Sequence, residues 1–191
     1  MPMEIDPATQ TIEGNYKLVS GLIVPRPIAW ITTMSPDGVV NLAPFSAYGM
    51  VGHNPPMLMV SIGTRDGAAK DTYRNIVDGG EFVVNVAGFS DAADVQASSQ
   101  AFGSEESETR LLGLPLQPCA AIAVPRLAHV PAAMECRLRG CMAYPDADNA
   151  IIIADIVRFH IRDDLLSNGK IETGVLDPLA RIAGPNYAGL D

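Results

Sequence analysis

Residues 25–46 constrain the fold more than any other part of the sequence, because they contain two strand-like segments separated by a turn. Residues 28–33 are rich in β-branched and aromatic side chains, which are frequent in strands. Residues 35–38, Ser-Pro-Asp-Gly, have the composition of a tight turn, and residues 39–43 return as a second strand-like segment. Pro44 has no backbone N–H group and is predicted to end that strand. The sequence therefore predicts a hairpin whose second strand stops at Pro44.

Polar side chains near the end of this hairpin form a predicted binding rim, which consists of Thr32, Thr33, Asn41 and Ser46. Their hydroxyl and amide groups can hydrogen-bond a ligand, although threonine is also simply a frequent strand residue. Trp30, the only tryptophan, either stacks on an aromatic ligand or packs in the core. A single tryptophan inside a strand is more often a core residue. The residues alone leave both interpretations open.

Further strand-like segments follow the hairpin and are joined mostly by turns. Apolar runs and alternating patterns predict strands over residues 57–62, 81–86, 128–144 and 150–161. Because helices do not alternate with these strands, a β-barrel fits the pattern better than a parallel α/β sheet. No internal repeat or long linker divides the 191 residues, so a single domain over residues 1–191 is predicted.

The remaining segments are predicted as connections and helices. Residues 47–54 contain glycine and are predicted as a connection, and residues 146–149 are predicted as a turn. Helices are predicted over residues 90–102, with Ser90 as the N-cap, and over residues 105–112.

Charge and hydropathy exclude several classes of partner. The net charge is −9, from 13 basic and 22 acidic residues, and such a surface repels nucleic acid. The longest apolar run, residues 151–157, contains Asp155 and is far shorter than the roughly 20 residues of a membrane span. The three cysteines are odd in number and lack metal-binding spacing, so neither a disulfide framework nor a metal site is predicted. These features favour a cytoplasmic protein that binds neither nucleic acid nor membrane.

A helix start at residues 70–72, Lys-Asp-Thr, is the most specific physical signal of a ligand site. Asp71 or Thr72 is predicted as the N-cap. Unpaired N–H groups and a partial positive charge at a helix N-terminus favour phosphate binding, and Lys70 adds a full charge. The alternative is a capped surface helix with a solvated lysine, which is the commoner arrangement.

The sequence contains no motif for catalysis by a metal, a nucleophilic serine or a bound dinucleotide. The three histidines, His53, His129 and His160, are widely spaced, and no Gly-x-Ser-x-Gly, Rossmann or Walker pattern is present. No side chain is therefore predicted to act as a catalytic acid, base or nucleophile.

Several segments nevertheless resemble the flavin reductase-like, FMN-binding split-barrel family. They keep the family's order and span about residues 17–187 of the chain. The segments are Arg-Pro-Ile-Ala-Trp-Ile-Thr-Thr at 26–33, Asn-Leu-Ala-Pro-Phe-Ser at 41–46, Lys-Asp-Thr with Asn-Ile at 70–76, Glu-Phe-Val-Val-Asn at 81–85, and the closing segment at 178–187.

The resemblance implies a mainly β fold with flanking helices, a split β-barrel, which is usually a homodimer with FMN near the subunit interface. It implies that Thr32, Thr33 and residues 70–72 hold the phosphate and ribityl chain, and that residues 43–46 line the isoalloxazine edge. Arg181 and Tyr187 are expected to reach the same site. The residues assigned to FMN are then Trp30, Thr32, Thr33, Asn41, Ala43, Pro44, Phe45, Ser46, Lys70, Asp71, Thr72, Arg181 and Tyr187.

The implied activity is an oxidoreductase reaction in which the cofactor performs the chemistry. NADH or NADPH gives a hydride to FMN, and electrons then pass to a second acceptor. The absence of a catalytic motif agrees with this, because hydride transfer itself needs no side-chain acid or base. The alternative is an FMN-binding electron-transfer or flavin-carrier protein without nicotinamide turnover, and a barrel that serves only in assembly is the third possibility.

Overall fold

The computed structural model describes residues 3–144 and 147–190. The helices are α1 (Ile12–Leu22), α2 (Asp71–Gly79), α3 (Ala92–Ala97), α4 (Glu108–Leu111) and α5 (Thr173–Leu176). The strands are β1 (Arg26–Pro27), β2 (Ala29–Met34), β3 (Val40–Phe45), β4 (Tyr48–His53), β5 (Pro56–Gly63), β6 (Glu81–Val86), β7 (Leu116–Gln117), β8 (Arg126–Leu127), β9 (Ala132–Ala143), β10 (Asn149–Ile161), β11 (Leu166–Ser167), β12 (Lys170–Ile171), β13 (Ala180–Arg181) and β14 (Tyr187–Ala188).

A seven-stranded antiparallel sheet in the order β3-β2-β6-β9-β10-β5-β4 forms the body of the fold. Its two edge strands, β3 and β4, are consecutive in the chain and are separated only by Ser46 and Ala47. A flat sheet of seven strands is about 29 Å wide, whereas this connection spans at most about 11 Å. The sheet must therefore curl until its edges approach each other at this corner. This is the mainly β split barrel with flanking helices that was predicted.

The core consists of two layers, one on each face of β2. Trp30 packs into one layer with Leu42 and Leu127. Ile31, the next residue along the strand, packs into the other layer with Phe82. Successive side chains of a strand point to opposite faces, so burial on both sides shows that β2 lies inside the barrel wall with structure on either side. Trp30 is consequently a core residue.

Asn85 on β6 joins β2, β6 and β8 from inside the core. Its side-chain amide donates to the carbonyl oxygen of Trp30 at 3.0 Å, and its carbonyl oxygen accepts from the backbone N–H of Leu127 at 2.8 Å. The side chain is fully buried. Both partners are backbone groups inside the protein, and the amide gives the N–H of Leu127 a hydrogen-bond partner where water cannot reach it.

The second strand of the hairpin does not stop at Pro44, as predicted, but continues to Phe45. In the register of β2 and β3, Pro44 lies opposite Trp30 and Leu42 opposite Thr32. The backbone N–H of Leu42 donates to Glu108, away from β2. Backbone groups alternate in direction along an antiparallel strand, so Pro44 also faces away from β2 and its missing N–H breaks no ladder bond. Proline is tolerated here because β3 is an edge strand.

Other expectations need correction at element boundaries. Residues 47–54 are not a connection, because most of them form β4, which pairs with β5 around a bulge between Met50 and Gly52. The helix predicted over residues 90–102 is only α3, preceded by a 3-10 turn at Phe89–Asp91, so Ser90 is not its N-cap. The helix predicted over residues 105–112 shortens to α4. The predicted strands over 57–62, 81–86, 128–144 and 150–161 are confirmed as β5, β6, β9 and β10.

The early end of α3 has a local cause. The hydroxyl of Ser98 donates to the carbonyl oxygen of Val95, and that of Ser99 donates to Gln96 at 2.6 Å. Hydroxyls that bond nearby carbonyls compete with the helix ladder.

The turn predicted at residues 146–149 begins outside the described residues, since positions 145 and 146 are not described. In residues 3–144 and 147–190, no helix combines the length and apolar character needed to cross a bilayer.

Asn85→Ala is expected to lower the free energy of unfolding by about 1–3 kcal/mol, because it leaves the buried N–H of Leu127 without a partner and removes the side-chain bond to the carbonyl of Trp30. Urea denaturation followed by circular dichroism measures the change. Asn15→Ala is the matched control, since it removes one exposed hydrogen bond to Pro7 and should change stability by less than about 0.5 kcal/mol. Equal effects of the two substitutions contradict the assigned role of Asn85.

Candidate functional site

A cavity of about 670 Å³ lies against the open edge of β3, within the usual size range for a small-molecule site. The loop before α2, the first residues of α2, and residues 98–102 form its other walls. Eight of the thirteen residues assigned to the cofactor line it together. They are Asn41, Ala43, Pro44, Phe45, Lys70, Asp71, Thr72 and Arg181.

One end of the cavity carries positive charge at the start of α2. Lys70, rather than Asp71 or Thr72, is the N-cap, and its side chain does not cap the helix. The first backbone N–H groups of α2 therefore remain available to a ligand. Burial, and then the nearby Arg65, lower the pKa of Lys70. Neither Lys70 nor Arg65 forms an ion pair within the described chain, so this corner attracts an anion.

A tight turn brings Arg65 to the cavity wall. Arg65 and Ala68 exchange two backbone hydrogen bonds of 2.9 Å each across Asp66 and Gly67. Both central residues have positive φ, 51° for Asp66 and 76° for Gly67, which is the two-residue turn that Asp-Gly pairs favour. The loop before α2 thus contains a defined two-residue turn.

Thr32 and Thr33 do not line the cavity, which corrects their expected position. Both are fully buried. Thr32 donates to the carbonyl oxygen of Pro125 at 2.7 Å, and Thr33 accepts from the side-chain amide of Asn75 on α2 at 3.0 Å. Thr33 therefore anchors α2 against the sheet from behind the cavity wall. Thr33 thereby fixes the position of the start of α2.

Asn41 and Thr72 complete this attachment of α2. The side-chain amide of Asn41 donates to the hydroxyl of Thr72 at 3.0 Å. Asp71, one of the acidic residues that line this corner, pairs with Arg74 one turn further along the helix. The acidic charge of Asp71 is thereby offset locally.

Trp30, Ser46 and Tyr187 also lie outside the cavity lining. The indole N–H of Trp30 donates to the hydroxyl of Ser98 at 2.9 Å, so the ring is buried behind the wall and cannot stack on a ligand there. Ser46 accepts from Arg26 at 3.3 Å. Tyr187 lies under the guanidinium of Arg181, 4.6 Å from the ring centroid. Tyr187 thus supports a cavity residue.

Arg181 is held in place from two sides. The side-chain carbonyl of Gln96 on α3 accepts from Arg181 at 3.4 Å and from the hydroxyl of Tyr187 at 3.1 Å. The closing segment is therefore attached to α3, which leads into the cavity wall at residue 98. Arg181 is a third cation of the cavity, besides Lys70 and Arg65.

The edge of β3 offers hydrogen-bond acceptors where it meets the cavity. The hydroxyl of Ser107 donates to the carbonyl oxygen of Val40 at 2.6 Å, and Glu108 accepts the N–H of Leu42 at 2.8 Å. Pro44 has no N–H group. From Leu42 to Pro44, the outward-facing edge therefore presents carbonyl oxygens and no free N–H. The cavity is cationic at one end and acceptor-rich along this wall.

Glu108 is the main cavity residue that the sequence did not reveal. Its side chain is 6% exposed and lines the cavity from α4. Burial is the largest influence on its carboxyl group and raises the pKa, and Asp71 adds to this effect. In the sequence, Glu108 follows the acidic residues Glu105 and Glu106 and resembles part of a solvated charged run. Only the tertiary contact with β3 distinguishes it.

A second polar cluster lies elsewhere in the fold. Potential ligand atoms of Cys119, Glu135 and His160 lie within 4.8 Å of one another. Glu135 is fully buried, accepts the backbone N–H groups of Ala120 and Ala121, and lies 2.6 Å from His160. Burial alone would raise the pKa of Glu135, but these donors lower it. These hydrogen bonds explain why a carboxyl group is buried at this position.

Known proteins resemble this chain in sequence and in structure. An uncharacterized protein of Halalkalibacterium halodurans is 38% identical over 97% of this chain and 91% of its own length. The structure of nitrilotriacetate monooxygenase component B from Bacillus cereus has a TM-score of 0.96, with 35% identity over 100% of this chain and 96% of its own. The 2-nitrobenzoate 2-nitroreductase NbaA of Pseudomonas fluorescens has a TM-score of 0.90, with 29% identity over 99% and 93% of the two chains.

Residues 21–179 match the family described as "Flavin reductase like domain". This range contains β2, β3, the start of α2 and Glu108, and thus most of the cavity wall. The predicted family, the split-barrel fold and FMN as the cofactor are confirmed. The chain belongs to the flavin reductase-like family.

Proposed function

We propose that this protein is an FMN-dependent oxidoreductase that takes a hydride from NADH or NADPH and passes electrons to a second acceptor. The supporting observation is the cavity itself, in which an uncapped helix start with two cations faces an acceptor-rich strand edge. FMN is an anion at one end and carries hydrogen-bond donors along its polyol chain and on its ring. The two ends of the cavity match these two kinds of group.

Lys70, Arg65 and the first N–H groups of α2 bind the phosphate in this proposal. Phosphate at a helix N-terminus gains from both the unpaired N–H groups and the helix dipole. The chain as a whole has a net charge of −9, so local cations that lack acidic partners are necessary to hold an anion. Thr33 and Asn41 act behind this corner by fixing the helix start.

Residues 43–45 on β3 position the ring in this proposal. Ala43, Pro44 and Phe45 give a largely apolar wall with backbone oxygens at its edge. Bound FMN supplies the redox-active ring that accepts a hydride. The protein contributes orientation, because rates fall steeply when reacting groups are misplaced by about 1 Å. Arg181 adds positive charge for the anionic nicotinamide donor or for FMN.

The names of two structural relatives bear on the second acceptor. One structural relative is named as a monooxygenase component and another as a nitroreductase. Both names denote redox reactions, which supports an oxidoreductase over a flavin carrier. The two reactions differ, and a direct assay with candidate acceptors identifies the second acceptor of this chain.

We also propose that the protein acts as a homodimer in the cytoplasm. Ile12, Tyr16 and Val19 follow one face of α1, and Ile23 is the C-cap residue of this helix. All four are exposed, a pattern that favours burial against another chain. The three cysteines are free, as is usual in a reducing compartment.

Anaerobic addition of NADH or NADPH to the FMN-loaded protein is expected to bleach the visible flavin absorption within the time of a catalytic turnover. Stopped-flow absorbance with each nucleotide measures the rate. The same nucleotides with free FMN provide the background. A loaded protein that is bleached no faster than free FMN contradicts nicotinamide turnover and favours the electron-transfer alternative.

Lys70→Ala is expected to weaken FMN binding by about tenfold or more, because a charge-assisted contact to phosphate is lost. Riboflavin, which lacks the phosphate, should bind with nearly unchanged affinity. Fluorescence titration of both flavins measures this. Lys17→Ala is the control, since Lys17 is exposed on α1 and pairs with Glu13. Unchanged FMN affinity in Lys70→Ala rules out the phosphate role.

A further inference from the structure

Glu108 is a buried acceptor with spare hydrogen-bonding capacity. An ionised carboxyl group has two oxygens that together accept about four hydrogen bonds. One oxygen of Glu108 accepts the N–H of Leu42 at 2.8 Å. The side chain is 6% exposed and what remains accessible faces the cavity. Burying a carboxyl group costs free energy unless hydrogen-bond donors surround it. We therefore expect a ligand in the cavity to donate a hydrogen bond to Glu108.

The neutral polar side chains around Glu108 already have partners. The amide of Asn41 donates to Thr72, and the hydroxyl of Ser107 donates to Val40 and lies 2.9 Å from that of Thr109. These groups therefore hold the surroundings of Glu108 in place without supplying it with donors.

Charged neighbours do not complete the site either. Arg65 acts on Glu108 through space and favours its charged form, whereas Asp71 disfavours it. Within the described chain, none of the ion pairs includes Glu108. An ionised carboxyl group repels phosphate. The ligand group that donates a hydrogen bond to Glu108 is therefore expected to be neutral.

We propose that Glu108 is a positioning residue for the flavin, which accepts a hydrogen bond from a ribityl hydroxyl and thereby makes the cavity specific for flavins that carry a polyol chain. This inference rests on the proposed function. A ribityl hydroxyl is favoured over the ring N–H for a geometric reason. Glu108 lines the same cavity as Arg65 and Asp71 of the phosphate corner, and the ribityl chain is the part of FMN next to the phosphate.

Three flavins separate the possible contacts when they are titrated against Glu108→Gln. FMN has ring, polyol and phosphate, riboflavin lacks the phosphate, and lumiflavin lacks the polyol. Glutamine keeps an acceptor for Leu42 but removes the charge. We expect FMN and riboflavin each to bind about tenfold or more weakly, and lumiflavin to bind as it does to the unsubstituted protein.

Glu105→Gln is the matched control, because it removes the same charge from an exposed residue three positions earlier. It should change none of the three affinities. An equal loss for all three flavins, a loss for FMN alone, or no loss overturns the inference. For each of these outcomes, FMN binding and turnover by the unsubstituted protein still support the proposed FMN-dependent oxidoreductase.

Ligand analogues keep the inference testable if Glu108→Gln does not fold. Riboflavin analogues that each lack one ribityl hydroxyl are titrated against the unsubstituted protein. One of them should bind about tenfold or more weakly than riboflavin. Equal affinities for all of these analogues overturn the inference. Failure of the unsubstituted protein to bind FMN at all overturns the proposed function as well.

Discussion

The short connection between β3 and β4 is the constraint on which the rest of the structure depends. Two residues join the opposite edges of a seven-stranded sheet, so the sheet must close on itself at that corner. Closure leaves β3 as an edge strand with one row of backbone groups unpaired by the sheet. Helix α4 covers part of this row through Ser107 and Glu108, and the cavity occupies the remainder. The site is thus a direct result of how the barrel closes.

Electrostatics in the cavity depend on which charges are neutralised nearby. Asp71 has Arg74 as a close partner, whereas Lys70 and Arg65 have none in the part of the chain that is described. A protein with a net charge of −9 can therefore attract an anion to one corner. The same corner relies on buried neutral contacts, such as Asn75 with Thr33, to keep the helix start at a fixed distance from the sheet.

The sequence predicted the parts of this arrangement that depend on local pattern. Apolar runs and alternation located the long strands, and local patterns also located β3 and the helix start at Lys70. The family resemblance assigned these two segments to the cofactor. Local pattern could not show the direction in which a backbone group points. Pro44 was therefore interpreted as the end of a strand, although it lies within the edge strand β3 and its missing N–H breaks no bond to β2. The family resemblance assigned Thr32 and Thr33 to the ligand. The sequence could not correct this, because a polar residue in a strand looks the same whether it faces a cavity or a buried partner.

Trp30 gives the protein a built-in optical probe. It is the only tryptophan, it is shielded from solvent, and its indole N–H is bonded to Ser98 in the cavity wall. Emission from tryptophan overlaps the absorption of flavins, so excitation energy can pass from this single donor to a ring in the cavity. Occupancy of each polypeptide can therefore be followed in real time without a label, and emission from one fixed position is free of contributions from other indoles.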